Sequence, residues 1–250
     1  MKFDIFSVCD KGNVRPDNQD SILVYTDEKQ ALGIFLVADG MGGYANGAWA
    51  SQTIKAAVQD WISTCLSGQA DQMEERLLLQ SLCGCLETVN RKVYREGEEK
   101  GMCGSTCALL LIYIIIFAGI SAGDCRVYSI GRWSCRQIST DDVWENQAQV
   151  RNNYPARDIE KHANYGKLTQ AVGIRENIGY SVHSAPLRKK EVFALCSDGV
   201  YKMCEKKYLT VQLGRCRRGD LRGPGQELIG EVYRNGARDN LALIVVKCRK

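Results

Sequence analysis

The spacing of cysteines that marks a zinc finger is missing from this chain of 250 residues, although the chain contains twelve cysteines. No two of them stand in a CxxC arrangement, and the close pairs are Cys83 with Cys85 and Cys103 with Cys107. A structural zinc site is therefore disfavoured. Many of the cysteines fall inside apolar runs, where a reduced thiol behaves as a small hydrophobic side chain. We expect reduced thiols and no structural disulfides.

A run of apolar residues long enough to cross a membrane is also missing. The longest run, Ala108–Ile120, spans 13 residues, whereas a membrane-spanning helix needs roughly 20. Its β-branched composition predicts two buried strands joined by a tight turn near Tyr113–Ile115. The first residues, Met1–Asn13, contain no apolar core of a signal peptide. We expect a cytoplasmic protein without a membrane partner.

Strong charge of one sign is absent as well. The 33 lysines and arginines against 29 aspartates and glutamates give a formal net charge of +4, which is too small to indicate a nucleic-acid partner. One basic run at 215–222 contains Arg215, Arg217, Arg218 and Arg222. We interpret it as a solvated loop, and attraction of an acidic partner is the alternative.

No linker or internal repeat divides the chain, so we expect one domain over residues 1–250. Strands, two long helices and further strands follow one another, which favours an α+β fold over alternating βαβ units. The long helices are predicted from the N-cap Asn46 to about Thr64 and from Asp71 to Glu99. The other predicted elements are strands at Phe3–Val8, Ser21–Tyr25, Gly33–Ala38, Thr106–Tyr113, Ile115–Ala122, Arg126–Ile130, Cys135–Ile138, Tyr180–Ser184, Val192–Cys196 and Leu241–Lys247 and short helices at Val143–Arg151 and Gln226–Asn235.

Four aspartates stand at the ends of apolar, strand-like runs. Asp39, Asp124 and Asp198 each follow such a run, and Asp239 precedes the last one. Each alone fits an ordinary turn or cap. Their joint occurrence indicates carboxylate oxygens that meet at one edge of a sheet and bind a hard divalent cation. Gly40, directly after Asp39, would let the backbone approach an ion and point a carbonyl at it.

The polar loop Asp10–Asp20 adds a cation to this set of residues. Arg15 within it could bind phosphate oxygens with two guanidinium N–H groups at once. An exposed loop arginine without a ligand is the alternative interpretation.

Seven short motifs resemble those of the type-2C metal-dependent protein serine/threonine phosphatases, and the chain looks most like the compact bacterial members of that family. Each motif alone is weak, but their order and intervals match over nearly the whole chain. The motifs are Gly12–Arg15 with Asn18–Ser21, Val37–Gly43, Gly104–Thr106, Ala122–Tyr128, Lys167–Gly173, Cys196–Val200 and Asp239–Asn240.

The resemblance implies a β-sandwich of two antiparallel sheets flanked by helices on both sides. It also implies a centre of two Mn²⁺ or Mg²⁺ ions with room for a third. In that centre Asp39 would bridge both ions, and the Gly40 carbonyl would bind one of them. Asp198 and Asp239 would complete the ligands of the other ion, and Asp124 with Asp198 would serve a third, weaker site.

Further residues receive roles from the same resemblance. Arg15 would hold the substrate phosphate and, together with Asp39, carry the catalysis. Gln19 and Asp20 would orient metal-bound waters from behind the ligands, and Asn240 would lie in the same outer layer. The two ions would neutralise the phosphate and lower the pKa of a bridging water, so that hydroxide attacks phosphorus. The implied activity is hydrolysis of phosphoserine and phosphothreonine in proteins, opposing a serine/threonine kinase.

The chain departs from the family pattern at three positions. Met41 stands where many relatives have a histidine that is a candidate general acid, which leaves protonation of the leaving group to a metal-bound water. Gln19 replaces a common glutamate, which weakens one water-mediated metal contact. Cys125 replaces a serine, and we expect little effect from that change.

The polar segment 141–166 fits the family's flap beside the active site, and its start, Thr140–Val143, departs most from the usual pattern. A docking surface and a disordered loop are both open interpretations of it. Two alternatives to a general phosphatase also stay open. One is a catalytically weak scaffold that binds phosphoproteins, against which the intact aspartates argue. The other is a switch phosphatase for one regulatory protein, which usually carries an extra sensory domain. We expect a monomer whose partners are phosphorylated proteins.

Overall fold

The computed structural model describes residues 1–42, 44–66, 74–132 and 134–249. Two positions from the sequence predictions therefore lie outside the described residues. They are Gly43, the last residue of the first metal motif, and Asp71, the expected start of the second helix.

Within the described residues, ten strands form two antiparallel sheets of five strands each. The first sheet has the order β1-β10-β9-β6-β7, and the second has the order β2-β3-β4-β5-β8. The strands are β1 Lys2–Asp10, β2 Asp20–Asp27, β3 Leu32–Gly42, β4 Cys103–Tyr113, β5 Ile116–Ala122, β6 Arg126–Ile130, β7 Cys135–Gln137, β8 Ser181–Pro186, β9 Val192–Cys196 and β10 Leu241–Arg249.

Helices cover the outer face of each sheet. The long helices α1 and α2 pack on the second sheet, and α6 and α7 pack on the first. The helices are α1 Tyr44–Cys65, α2 Glu75–Lys100, α3 Ala148–Asn153, α4 Ala156–Ile159, α5 Asp198–Tyr201, α6 Lys206–Arg218 and α7 Arg222–Arg234. The predicted α+β sandwich with helices on both sides is thus confirmed.

The continuous apolar strands follow from this four-layer arrangement. In β3, Ile34 and Leu36 face the helices, whereas Phe35 and Val37 face the other sheet. Successive side chains of a strand point to opposite faces, so a strand covered on both faces must be apolar at every position. The runs therefore show no alternation in the sequence. The expected turn between β4 and β5 is present, with Ile114 in the left-handed region at a φ of 52°.

Two local predictions are wrong. Asn46 does not cap the first helix, because α1 begins at Tyr44 and includes it. The arginines of the basic run at 215–222 do not lie in a loop, because three of them belong to the last turn of α6 and Arg222 begins α7. Leu209, Leu213 and Cys216 are buried on α6, and their i, i+4, i+7 spacing makes an amphipathic helix among basic residues.

The cysteines and the flap were both described from the sequence in general terms only. None of the twelve cysteines is in a disulfide, and seven of them are buried. Among the described residues, no helix has both the length and the apolar character needed to cross a membrane. The flap contains α3, α4 and a 3-10 helix at Trp144–Asn146. The Trp144 ring stacks on His162 with centroids 4.1 Å apart, so side chains of the flap pack against one another.

Candidate metal centre

A cleft of about 510 Å³ opens at one end of the sandwich and brings the four aspartates together. Asp124 lies in the turn between β5 and β6, Asp198 begins α5 directly after β9, and Asp239 stands just before β10. Asp39 differs from the prediction, because β3 continues past it to Gly42. The predicted residues that line the cleft are Arg15, Gln19, Asp39, Gly40, Asp124, Asp198, Asp239 and Asn240.

Two glycines next to the aspartates allow the backbones to approach each other closely. A Cβ at Gly40 would lie 2.1 Å from the Gly47 carbonyl oxygen, and a Cβ at Gly199 would lie 1.9 Å from the Asn240 carbonyl oxygen. Neither position therefore accepts a side chain unless the backbone shifts. The glycine that follows Asp39 and the glycine that follows Asp198 allow close backbone contacts around the cleft. The interpretation of these motifs as ordinary turns did not predict such contacts.

Asp20 and Asp39, which we name the uncompensated pair, face each other across β2 and β3. Asp20 Oδ2 accepts a hydrogen bond of 2.7 Å from the Ser197 hydroxyl, and that hydroxyl in turn accepts one of 2.9 Å from the Ala242 N–H. The other oxygen, Asp20 Oδ1, is buried without a hydrogen-bond partner in the described part of the chain. These bonds link β2 of the second sheet to the first sheet directly behind the cleft.

The pKa values of the uncompensated pair are shifted upward. Burial, together with repulsion from the charges of Asp198 and Asp239, raises the pKa of Asp20 to about 7, although the hydrogen bond from Ser197 acts in the opposite direction. Burial also raises the pKa of Asp39 well above its ordinary value, and repulsion from Asp20 adds to the shift. No lysine or arginine among the described residues forms an ion pair with either carboxylate. A cation bound nearby would stabilise the charged form of both carboxylates.

The remaining three aspartates, which we name the compensated trio, each contact a basic side chain. Arg15 lies 2.8 Å from Asp239 Oδ2. Lys202 Nζ lies 2.7 Å from Asp198 Oδ2 and 3.4 Å from Asp124 Oδ2. Each member of the trio is therefore partly neutralised by the protein itself.

Tyr201 is a second hydrogen-bond donor, besides Lys202, to Asp124 of the trio. Its hydroxyl donates a hydrogen bond of 3.0 Å to Asp124 Oδ2. The guanidinium of Arg126 lies over the Tyr201 ring, 3.4 Å from its centroid. Arg126 Nη2 also donates to Asp141 Oδ2 at 2.7 Å. The ring is thus fixed by a cation that is itself tied to the first residue of the flap.

Asn240 positions the loop that carries Arg15. Its side-chain oxygen accepts from the Gln19 N–H at 2.9 Å, and its amide donates to the carbonyl oxygens of Lys11 and Asp17, each at 2.9 Å. The Gln19 carbonyl accepts a bond of 3.1 Å from the Gly40 N–H. Gln19 and Asn240 therefore connect the loop to the strands that carry the aspartates.

The donor set fits a hard divalent cation. The uncompensated pair and the compensated trio together carry five carboxylates, and two basic side chains, Arg15 and Lys202, balance part of this charge. The carboxylates offer an ion only oxygen atoms as ligands. Among the described residues, no three His, Cys, Asp or Glu side chains are arranged to hold an ion by themselves. Mg²⁺ usually keeps several water ligands, so a shell of few protein ligands agrees with Mg²⁺ or Mn²⁺.

Three residues that support the site were not singled out from the sequence: Ser197, Tyr201 and Lys202. A signal existed for Lys202, because it follows Asp198 by four residues, the spacing at which side chains meet on a helix. Ser197 and Tyr201 have no comparable signal, since their partners Asp20 and Asp124 are 177 and 77 residues away in the chain.

Comparisons with known proteins agree with this architecture. A family model described as "Protein phosphatase 2C" matches residues 15–219. The serine/threonine phosphatase stp of Listeria welshimeri is 25% identical over 245 residues, which cover 95% of this chain and 93% of that protein. The protein phosphatase PhpP of Streptococcus pneumoniae is 27% identical over 206 residues, covering 80% of each chain.

Solved structures share the fold over nearly the full length. PppA, described as a key regulatory component of T6SS in Pseudomonas aeruginosa, superposes with a TM-score of 0.79 at 25% identity, covering 98% of this chain and 97% of that one. The catalytic domain of the serine threonine protein phosphatase PstP, solved in complex with two manganese ions, gives a TM-score of 0.78 at 22% identity, covering 99% of each chain.

Proposed function

This chain belongs to the protein phosphatase 2C family, and on that premise we propose that it hydrolyses phosphoserine and phosphothreonine in proteins with two divalent ions in the cleft. One observation supports the proposal that the ions bind in this cleft. The uncompensated pair, Asp20 and Asp39, is buried with raised pKa values and without a basic partner among the described residues. Such a pair is costly unless a cation binds beside it.

The residues of the cleft divide the work of holding the ions and the substrate. We propose that Asp39 would be shared by the two ions, that the Gly40 carbonyl would help to hold one, and that Asp198 and Asp239 would hold the other. Asp20, which is paired with Asp39 across β2 and β3, would orient metal-bound water. When bound, the ions supply positive charge to the phosphoryl oxygens and activate a water as the nucleophile.

Arg15 is the residue that we propose to bind the phosphate. Its side chain is 55% exposed and contacts Asp239 with one nitrogen, Nη2, so other N–H groups of the guanidinium can reach a ligand in the cleft. A guanidinium binds phosphate oxygens through two parallel hydrogen bonds. Asn240 keeps the loop of Arg15 in place through its bonds to Lys11, Asp17 and Gln19.

Metal dependence is the direct experiment. The protein is stripped with a chelator, and hydrolysis of p-nitrophenyl phosphate and of a phosphothreonine peptide is followed while Mn²⁺ or Mg²⁺ is added back. We expect less than about 1% of the activity without metal and full recovery with Mn²⁺. A phosphotyrosine peptide is the substrate control and is expected to be hydrolysed far more slowly. Full activity in the chelator would contradict the proposal.

We also propose a domain organisation, an oligomeric state and a compartment for this activity. We propose one catalytic domain over residues 1–250, a monomer, and a serine/threonine kinase that phosphorylates the same proteins. We propose a reducing compartment such as the cytoplasm, which agrees with twelve cysteines of which none is in a disulfide. The scaffold alternative is not favoured, because the relatives stp and PhpP are both named as phosphatases.

A further inference from the structure

Lys202 places an ammonium group between two carboxylates of the compensated trio. Its Nζ lies 2.7 Å from Asp198 Oδ2 and 3.4 Å from Asp124 Oδ2. It also lies 5.9 Å from the centroid of the Tyr201 ring, within the range of a cation–π interaction. These three contacts hold the lysine side chain at the inner wall of the cleft, although the side chain is 50% exposed.

The position of Lys202 is the one at which the family resemblance expects a third metal ion, held by Asp124 with Asp198. Both carboxylates accept a hydrogen bond from Lys202 Nζ through one oxygen each, Oδ2. Asp124 Oδ2 also accepts from the Tyr201 hydroxyl at 3.0 Å. Asp124 is therefore engaged by two donors of the protein itself, and both donors follow Asp198 closely in the chain.

The charges point the same way as the contacts. A cation bound between Asp124 and Asp198 would lie within a few ångströms of the Lys202 ammonium. Two cations at such a separation repel each other, and the double charge of a divalent ion makes the repulsion twice that between two unit charges. The lysine already supplies one positive charge to the two carboxylates, so an added ion would gain less from them and would have to displace the lysine.

We propose that the ammonium group of Lys202 takes the place of a third metal ion, so that this chain binds two ions and completes its centre with a lysine. The inference rests on the proposed function, because it assumes that the two other ions bind beside Asp39. It assigns Lys202 as a positioning residue, which fixes Asp124 and Asp198 at one wall of the cleft. Unlike an ion, this charge is covalently attached and does not exchange with the solution.

The stoichiometry of Mn²⁺ binding tests the inference without a measurement of activity. Chelator-stripped protein is titrated with Mn²⁺, and the free ion is followed by its electron paramagnetic resonance signal. We expect two ions per wild-type chain. Lys202→Met removes the ammonium but keeps an unbranched side chain, and we expect it to bind a third ion at least about tenfold more tightly than the wild-type chain does.

Three further variants make the result specific. Lys206→Met removes the same charge from an exposed lysine at the start of α6 and is expected to bind two ions. Lys202→Arg retains the charge and should restore binding of two ions. The double variant Lys202→Met with Asp124→Asn should also bind two, because it lacks a ligand of the new site.

Each outcome separates this inference from the proposed function. If wild type and Lys202→Met both bind two ions, or if wild type binds three, the role of Lys202 is wrong while the two-ion phosphatase stands. If the wild-type chain binds no Mn²⁺ and hydrolyses no phosphate ester, the proposed function is wrong and the inference falls with it. A third ion in Lys202→Met alone supports the inference.

Discussion

The two groups of carboxylates in the cleft differ in how their charge is balanced. The uncompensated pair, Asp20 and Asp39, comes from the second sheet and has no lysine or arginine in ion-pair contact among the described residues. The compensated trio, Asp124, Asp198 and Asp239, flanks strands of the first sheet and contacts Lys202 and Arg15. Within the part of the chain that the structure describes, basic side chains thus contact the carboxylates of the trio and not those of the pair.

This difference shows which side of the cleft depends most on a metal. A carboxylate that is buried without a partner favours its protonated form, and a bound divalent ion reverses that preference. Bound ions are therefore needed to keep Asp20 and Asp39 ionised at neutral pH. The charge of the trio is already balanced in part by basic side chains. Mutations on the two sides should consequently have different effects on metal binding.

Loss of charge in the uncompensated pair should have the largest effect. Asp39→Asn removes the carboxylate that we place between the two ions, so hydrolysis of p-nitrophenyl phosphate should fall at least about a thousandfold. The matched control is Asp17→Asn, which removes an exposed charge from the same cleft. It should change the rate less than about threefold. Equal effects of both changes would mean that only the total charge of the cleft matters.

On the compensated side, removal of Arg15 should have an intermediate effect. Arg15→Ala deletes the proposed phosphate ligand and the partner of Asp239, so kcat/KM should fall about 10- to 100-fold, mainly through KM. Arg15→Lys retains the charge but not the paired N–H groups, and it should recover only part of the loss. Mn²⁺ stoichiometry should stay at two. An unchanged KM in Arg15→Ala would refute the proposed phosphate contact.

The smallest effect concerns the stability of the metal-free protein. Burial is the main cause that raises the pKa of Asp20 from 3.8 to about 7. Between about pH 4 and 7 the Asp20 carboxyl is therefore protonated in the folded protein and ionised in the unfolded chain. Stability must therefore fall as the pH rises through this window, by no more than about 4 kcal/mol for this group. Asp20→Asn cannot lose a proton and should be the more stable protein above pH 7.

Urea unfolding of chelator-treated protein at pH 5 and pH 8 measures this difference. The free energy of unfolding of Asp20→Asn, relative to that of wild type, should be about 1–3 kcal/mol more favourable to the folded state at pH 8 than at pH 5. Asp60→Asn, a change at an exposed position of α1, should follow wild type. If all three proteins show the same pH dependence, Asp20 does not titrate differently in the folded and unfolded states.

Much of the fold could be predicted because buried strands leave a clear signal. Continuous apolar runs such as Val192–Cys196 coincide with β9, and every expected strand overlaps one in the structure. The helix α6 could not be found in the same way. Its buried residues are spaced among lysines and arginines, so that composition suggests a loop while the periodicity of Leu209 and Leu213 defines a helix.

The candidate site was predictable in its ligands and not in its supports. The aspartates could be recognised because each follows or precedes a strand-like run. The contacts that balance their charge join distant residues, as Lys202 and Asp124 are 78 positions apart. A single sequence does not say which side chain will occupy the space between two carboxylates. The difference between the uncompensated pair and the compensated trio therefore emerged only from the structure.

The most direct test of the two-sided cleft is the position of bound Mn²⁺, determined by anomalous scattering from crystals of the wild-type chain grown with the ion. We predict two peaks beside Asp39, one of them also bound by Asp198 and Asp239, with Lys202 still in contact with Asp124. A peak between Asp124 and Asp198 with the lysine displaced, or the absence of any peak beside Asp39, would contradict the account.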